Sequence, residues 1–129
     1  MANSSPNQNQ LEALRILWEQ GELKPVEIQA NFSWSIENAT LRSVLAILVE
    51  KNHITRKRQG KAYVYVASIQ KNTLLQNMAQ TLARVFAGGS HRDLVMQLME
   101  TSDIDTADLA LIRKAAAKSP SRKPQGKVK

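Results

Sequence analysis

The sequence predicts a mostly helical α+β fold, a single two-stranded ribbon set among six helices, and three observations carry that prediction. Apolar residues recur at three- and four-residue spacing on both sides of the middle of the chain, the period of one helix face. One stretch alone, Ala62-Tyr63-Val64-Tyr65-Val66-Ala67, is β-branched and aromatic, and a turn at Gln59-Gly60-Lys61 precedes it. Aromatics make up only 5% of 129 residues, with 5 Gly and 4 Pro, which suits a helix-rich chain and not a β-sandwich. This length holds one compact domain, or one small domain with a helical appendage, and excludes a large multi-domain enzyme.

Residues 1–9 (MANSSPNQN) are polar with a Ser-Ser-Pro break, so a disordered arm is expected there. From Gln10 to Gln20, Leu11, Leu14, Leu17 and Trp18 mark one face of a first helix, which Gly21 ends. Lys24-Pro25 opens a short second helix, because proline in a first turn removes an N–H that would be unpaired anyway; Val26, Ile28 and Phe32 are expected inward. A third, longer helix carries Leu41, Val44, Leu45, Leu48 and Val49 on one face and closes at Lys51-Asn52. Ile54-Thr55-Arg56-Lys57-Arg58 then forms the first strand of the ribbon. Three helices followed by a ribbon with a cationic turn is the order of a winged helix-turn-helix module, predicted over residues 10–68.

The helical period returns from Ile69 with Leu74, Leu75, Met78, Leu82, Val85 and Phe86 and stops at Ala87-Gly88-Gly89. A further helix starts from Ser90, spaced to Asp93 as a capping box, with Leu94, Val95, Leu98 and Met99 as its stripe. The last begins near Asp105 and carries Leu109 and Ile112. Their wide apolar stripes exceed what a small winged core accommodates, so residues 69–118 are expected to form a three-helix dimerisation region. Leu74, Leu75, Met78, Leu82, Phe86, Leu94, Leu98 and Ile112 are its candidate contacts. Residues 119–129 (SPSRKPQGKVK) are expected to be a disordered basic tail.

Charge is the most informative composition feature. The chain has 18 basic and 11 acidic residues, net +7. Seven basic and two acidic residues lie between Ile36 and Lys71, whereas Asn72 to Ile112 holds two basic and five acidic. A basic block inside a patterned, foldable region points to a surface held against a polyanion. On the third helix Asn38, Thr40, Arg42 and Ser43 are candidates for contacts to bases or phosphates of duplex DNA, Arg42 for a guanine edge. In the ribbon Arg56, Lys57, Arg58 and Lys61 are candidates for phosphate contact, more cations than edge protection requires.

Several chemistries are excluded or disfavoured. With no Cys and only two His, cysteine nucleophiles, thiolate metal sites and a His-based zinc centre have no ligands, and no cofactor or metal is expected. His53 and His91 have no partners at triad or ligand spacing, so no catalytic residue is expected and the chain is not read as an enzyme. No apolar run reaches the roughly 20 residues of a membrane span, and the polar start has no signal-peptide pattern, so a cytoplasmic location without membrane insertion is expected.

The segment Leu14-Arg15-Ile16-Leu17-Trp18 with Gly21, then TLRSVLAILVEKNHITR, GKAYVYVA, VFAGGS and DLVMQLME, resembles the BlaI/MecI group of penicillinase-repressor-like transcription factors over about Gln10 to Ala117. The resemblance implies a winged-helix homodimer that binds a palindromic operator and represses genes. It also implies release when a membrane sensor protease system cleaves the dimerisation helices. Thr40, Arg42 and Ser43 match the family's polar positions on the recognition helix, and Arg56 to Lys61 match its wing. The chain departs from the pattern at Ile47, where the family often has Arg, and between Ile28 and Trp34, where it is shorter. It departs again at Gln97-Leu98, which stands where the family is cleaved at Asn-Phe. The copper-responsive relatives carry a C-terminal cysteine cluster that this chain lacks. Two further readings remain at this point: a winged protein-interaction adaptor, and a non-specific DNA binder relying on the tail.

Overall fold

The computed structural model describes residues 6–101 and 103–118. The expected arm at 1–5 and tail at 119–129 lie outside the described residues. The elements run α1 (Gln8–Gln20), α2 (Pro25–Asn31), α3 (Asn38–Glu50), β1 (Ile54–Gln59), β2 (Ala62–Ala67), α4 (Lys71–Phe86), α5 (His91–Thr101) and α6 (Thr106–Lys118). This is the mostly helical α+β order expected from the sequence. Contacts divide the chain into two compact units, Met1–Met78 and Ala79–Lys129, with the division inside α4.

In the first unit one core gathers every element. Ala13, Leu14, Ile16 and Leu17 of α1, Ile28 of α2, Leu41, Val44, Leu45 and Leu48 of α3, Ile54 of β1 and Leu74 of α4 are buried together. The helix α1 starts at Gln8, two residues before the expected start at Gln10. Asn7 caps it, accepting from the Gln10 backbone N–H at 2.9 Å while the Gln10 side chain accepts from the Asn7 N–H at 3.2 Å. This polar box is invisible to a hydrophobic period, so residues 7–9 leave the expected arm and join the fold. In α2, Ile28 is fully buried but Val26 is 66% exposed, against the expectation that both face inward. Two residues on a helix are about 200° apart, so a stripe that buries Ile28 must expose Val26.

Asn52 takes φ 65°, the left-handed conformation expected after Lys51, and the His53 N–H returns to the Leu48 carbonyl at 2.9 Å. The ribbon is antiparallel, with Ile54 opposite Ala67 and Gln59 opposite Ala62, leaving Gly60-Lys61 as a two-residue turn. Gly60 sits at φ 66°, which L side chains rarely adopt. Leu23 and Tyr65 exchange both backbone hydrogen bonds, at 2.8 and 3.0 Å, so the chain before α2 is tied to β2. Trp18 donates its indole N–H to the Ile69 carbonyl at 3.0 Å and so fixes the entry to α4.

The first turns of α4 therefore belong to the winged core, ten residues beyond the expected boundary at 68. Leu74 is only 4% exposed within one chain, and Met78 packs half-buried against the same core. The side chain of Leu74, expected at a dimer contact, is already covered by its own chain, and that of Met78 is covered in part.

In the second unit Gly89 donates to Ala83 O at 2.9 Å, closing α4. Ser90 Oγ accepts from the Asp93 N–H at 3.0 Å, and Asp105 Oδ1 accepts from Asp108 N–H at 2.8 Å, so α5 and α6 begin at the expected caps. Ala83 and Leu94 are the buried apolar residues of this unit among those described, so Leu94, expected at a dimer contact, is covered within its own chain. Leu82, Val85, Phe86, Val95, Met96, Leu98, Leu111 and Ile112 remain exposed.

Candidate nucleic-acid interface

The outward face of α3 is set by what holds the helix. The turn between α2 and α3 is fastened to α1 by Glu12, a carboxylate only 8% exposed. Arg15 donates to both of its oxygens, at 3.0 and 2.7 Å, and Ser33 donates through its backbone N–H at 2.8 Å and its hydroxyl at 2.7 Å. The Arg15 guanidinium, helped by Ser33 and opposed by burial, holds this carboxyl down at about 2. Two more bonds act on the same turn: Trp34 Nε1 donates to Asn9 Oδ1 at 2.9 Å, and Gln29 Nε2 donates to the Ile36 carbonyl at 2.8 Å. A buried, fully satisfied carboxylate of this kind specifies one geometry for the chain that enters α3.

On α3 itself, Asn38, Thr40, Arg42 and Ser43 are all exposed, as are Ala39, Ala46 and Ile47. At about 100° per residue the side farthest from the buried stripe is occupied by Ala39, Ser43, Ala46 and Glu50. Thr40 and Ile47 flank it on one side and Asn38 and Arg42 on the other. Arg42 donates its Nε to Asn38 Oδ1 at 2.8 Å, so Asn38 orients the guanidinium one turn along the helix. The alanines were not singled out by a search for polar and cationic side chains, yet a small side chain lets a helix approach base edges and meet thymine methyls.

The ribbon separates its cations by strand parity. Arg56 and Arg58 share a face with Tyr63 and Tyr65, their partners across the strands being Tyr65 and Tyr63 respectively. The Arg56 and Arg58 guanidiniums lie 4.6 and 5.6 Å from the Tyr63 ring centroid, and no acidic side chain pairs with either among the described residues. Lys57, of the opposite parity, forms an ion pair with Glu22. Lys61 is exposed in the turn. Of the four wing candidates, then, Arg56, Arg58 and Lys61 present uncompensated charge, while Lys57 has a carboxylate partner. His53 Nδ1 is buried without a hydrogen-bond partner, and burial, then Lys51, lowers its pKa. No group of three or more potential metal ligands occurs among the described residues, and no described helix is long and apolar enough to cross a membrane.

Comparison with known proteins places this arrangement. The family model described as penicillinase repressor matches residues 7–118. The chain is similar to a 16.5 kDa protein from the ptsI 3′ region of Latilactobacillus sakei, 18% identical over 118 residues and covering 88% of this chain and 80% of that one. Among solved structures it is similar to a probable transcriptional regulator from Pseudomonas aeruginosa, with TM-score 0.53, 18% identity, and 90% and 80% of the two chains covered. It is also similar to BpsR of Bordetella bronchiseptica, with TM-score 0.52, 15% identity and coverage of 88% and 79%; that structure concerns regulation of DNA binding by 6-hydroxynicotinic acid. At these identities the structural likeness is one of fold.

Proposed function

The chain belongs to the penicillinase repressor family, and from that premise we propose that it is a homodimeric, sequence-specific transcriptional repressor acting on a palindromic operator. In this reading α3 enters the major groove with Ala39, Thr40, Ser43 and Ala46 toward base edges. Arg56, Arg58 and Lys61 neutralise phosphates around it, and Arg42 lies at the edge of the same face. One observation carries the reading: small and polar side chains fill the middle of the outward face of α3, with Glu37 and Glu50 confined to its two ends, and the arginines beside it have no carboxylate partner among the described residues. Solvated charge alone gives no reason for that segregation.

Exposed apolar side chains on α4, α5 and α6, including Leu75, Leu82, Phe86, Leu98 and Ile112, support assembly with a second copy, which would set the spacing of two half-sites. Release by cleavage within α5, by a membrane sensor protease system, is the part of the reading that the family suggests; Gln97-Leu98 stands at that position. Fluorescence anisotropy with the chain's own upstream region and with shuffled duplexes tests the proposal. Tighter binding to one palindromic segment, falling steeply with salt, is expected. Equal affinity for all duplexes would leave only the non-specific reading.

A further inference from the structure

Arg42 and Arg56 come from different elements, yet both line one depression of about 280 Å³ between α3 and the ribbon, walled by Pro25, Ala46, Val49 and Tyr65. Neither guanidinium has an acidic partner among the described residues, and nothing else that lines the depression carries a charge. Two like charges lining one hollow attract an anion more strongly than either does alone. Each arginine is also held from behind. Asn38 takes the Arg42 Nε, leaving the two Nη groups for a ligand, and the Tyr63 ring lies under the Arg56 guanidinium. Around the helix axis Arg42 lies about 110° from the centre of the buried stripe, on the ribbon side and off the outermost line of Ala39, Ser43 and Ala46. A side chain there meets the wall of a groove, not its floor.

We infer that Arg42 and Arg56 form a single seat for one backbone phosphate of the bound duplex, so that Arg42 clamps the groove edge and leaves base reading to its neighbours. The inference rests on the DNA-binding reading above. The two guanidiniums supply planar forks that suit a tetrahedral oxyanion. Asn38 acts here as a positioning residue, and its base-reading role falls away with that of Arg42.

Two measurements on the full chain test it. In the free protein, inorganic phosphate titrated at constant ionic strength should shift the Arg42 and Arg56 Nε–Hε NMR signals together and leave Arg92 in place. Equal shifts at all exposed arginines would mean general anion screening and overturn the seat. On DNA, Arg42→Ala should weaken operator and shuffled duplexes by the same factor, about tenfold or more, with the slope of log K on log salt falling by about 1. Adding Arg56→Ala should cost less than the product of the two single effects. Loss of discrimination at one base pair in Arg42→Ala, or independent effects of the two changes, would overturn the inference. A wild-type chain that bound no duplex would instead defeat the DNA-binding reading, an outcome distinct from both, since the phosphate titration needs no DNA.

Discussion

The two units of this chain solve the burial problem differently. The first assembles three helices, a ribbon and the start of α4 around a continuous core, and satisfies even its one buried carboxylate with four donated hydrogen bonds. The second buries Ala83 and Leu94 and leaves Phe86 61% exposed, with Val95, Met96, Leu98 and Leu111 exposed as well. The first unit also exposes Val26 and Leu75, but beside a core of its own; the second has two buried apolar side chains among the described residues, too few to hold three helices without another surface. The contrast separates a unit with a core complete within one chain from helices whose apolar faces are largely left open.

Substitutions can break that contrast. The largest effect is expected in the first core: Leu45→Ala should lower unfolding stability by about 2–5 kcal/mol, measured by urea denaturation. A loss below 1 kcal/mol would mean that the core is looser than its burial suggests. Paired Leu82→Ser and Phe86→Ser should leave the first unit folded but weaken self-association by about 2 kcal/mol or more, read by sedimentation across a concentration series. Unchanged association would remove this face from the proposed interface.

The buried carboxylate should give an intermediate effect. Glu12→Gln is expected to cost about 1–3 kcal/mol at neutral pH, because the Arg15 and Ser33 donors lose an ionised acceptor. The carboxyl of Glu12 is held at about 2 in the fold against 4.5 ordinarily. Its contribution is therefore complete above pH 4.5 and is lost as pH falls from there toward 2. Stability of the wild type should drop through that window, and Glu12→Gln should flatten the drop; parallel profiles would show that other groups control it. The smallest effect is expected at Val26→Ser, within about 0.5 kcal/mol, although the neighbouring Ile28→Ala should cost about 2–5 kcal/mol. A large loss at Val26 would mean that its exposed side is covered in the assembled protein.

Much of the fold was legible from local signals. The stripe of α3, its closure at Asn52, the ribbon and its turn, and the caps at Ser90 and Asp105 all follow from residues within a few positions of one another. The inward assignment of Val26 failed against helix geometry that was already available, since two-residue spacing cannot share a face. Strand parity could likewise have set Lys57 apart from Arg56 and Arg58, but its pairing with Glu22 joins segments 35 residues apart and leaves no mark on local pattern. The clamp of Glu12 on Ser33 is hidden for the same reason: an acidic residue on a helix reads as solvated until the turn that covers it is known.

By itself the sequence determined which stretches are helix and strand, where they stop, and that positive charge gathers on the third helix and the ribbon, because period, caps and composition act over one or two turns of chain. Only the tertiary structure decided which of those charges are spent within the fold, that Leu74 seals the winged core, and that Arg42 and Arg56 share one hollow. Those outcomes depend on which distant groups arrive within a few ångströms of each other, and desolvation and ion pairing are fixed at that range.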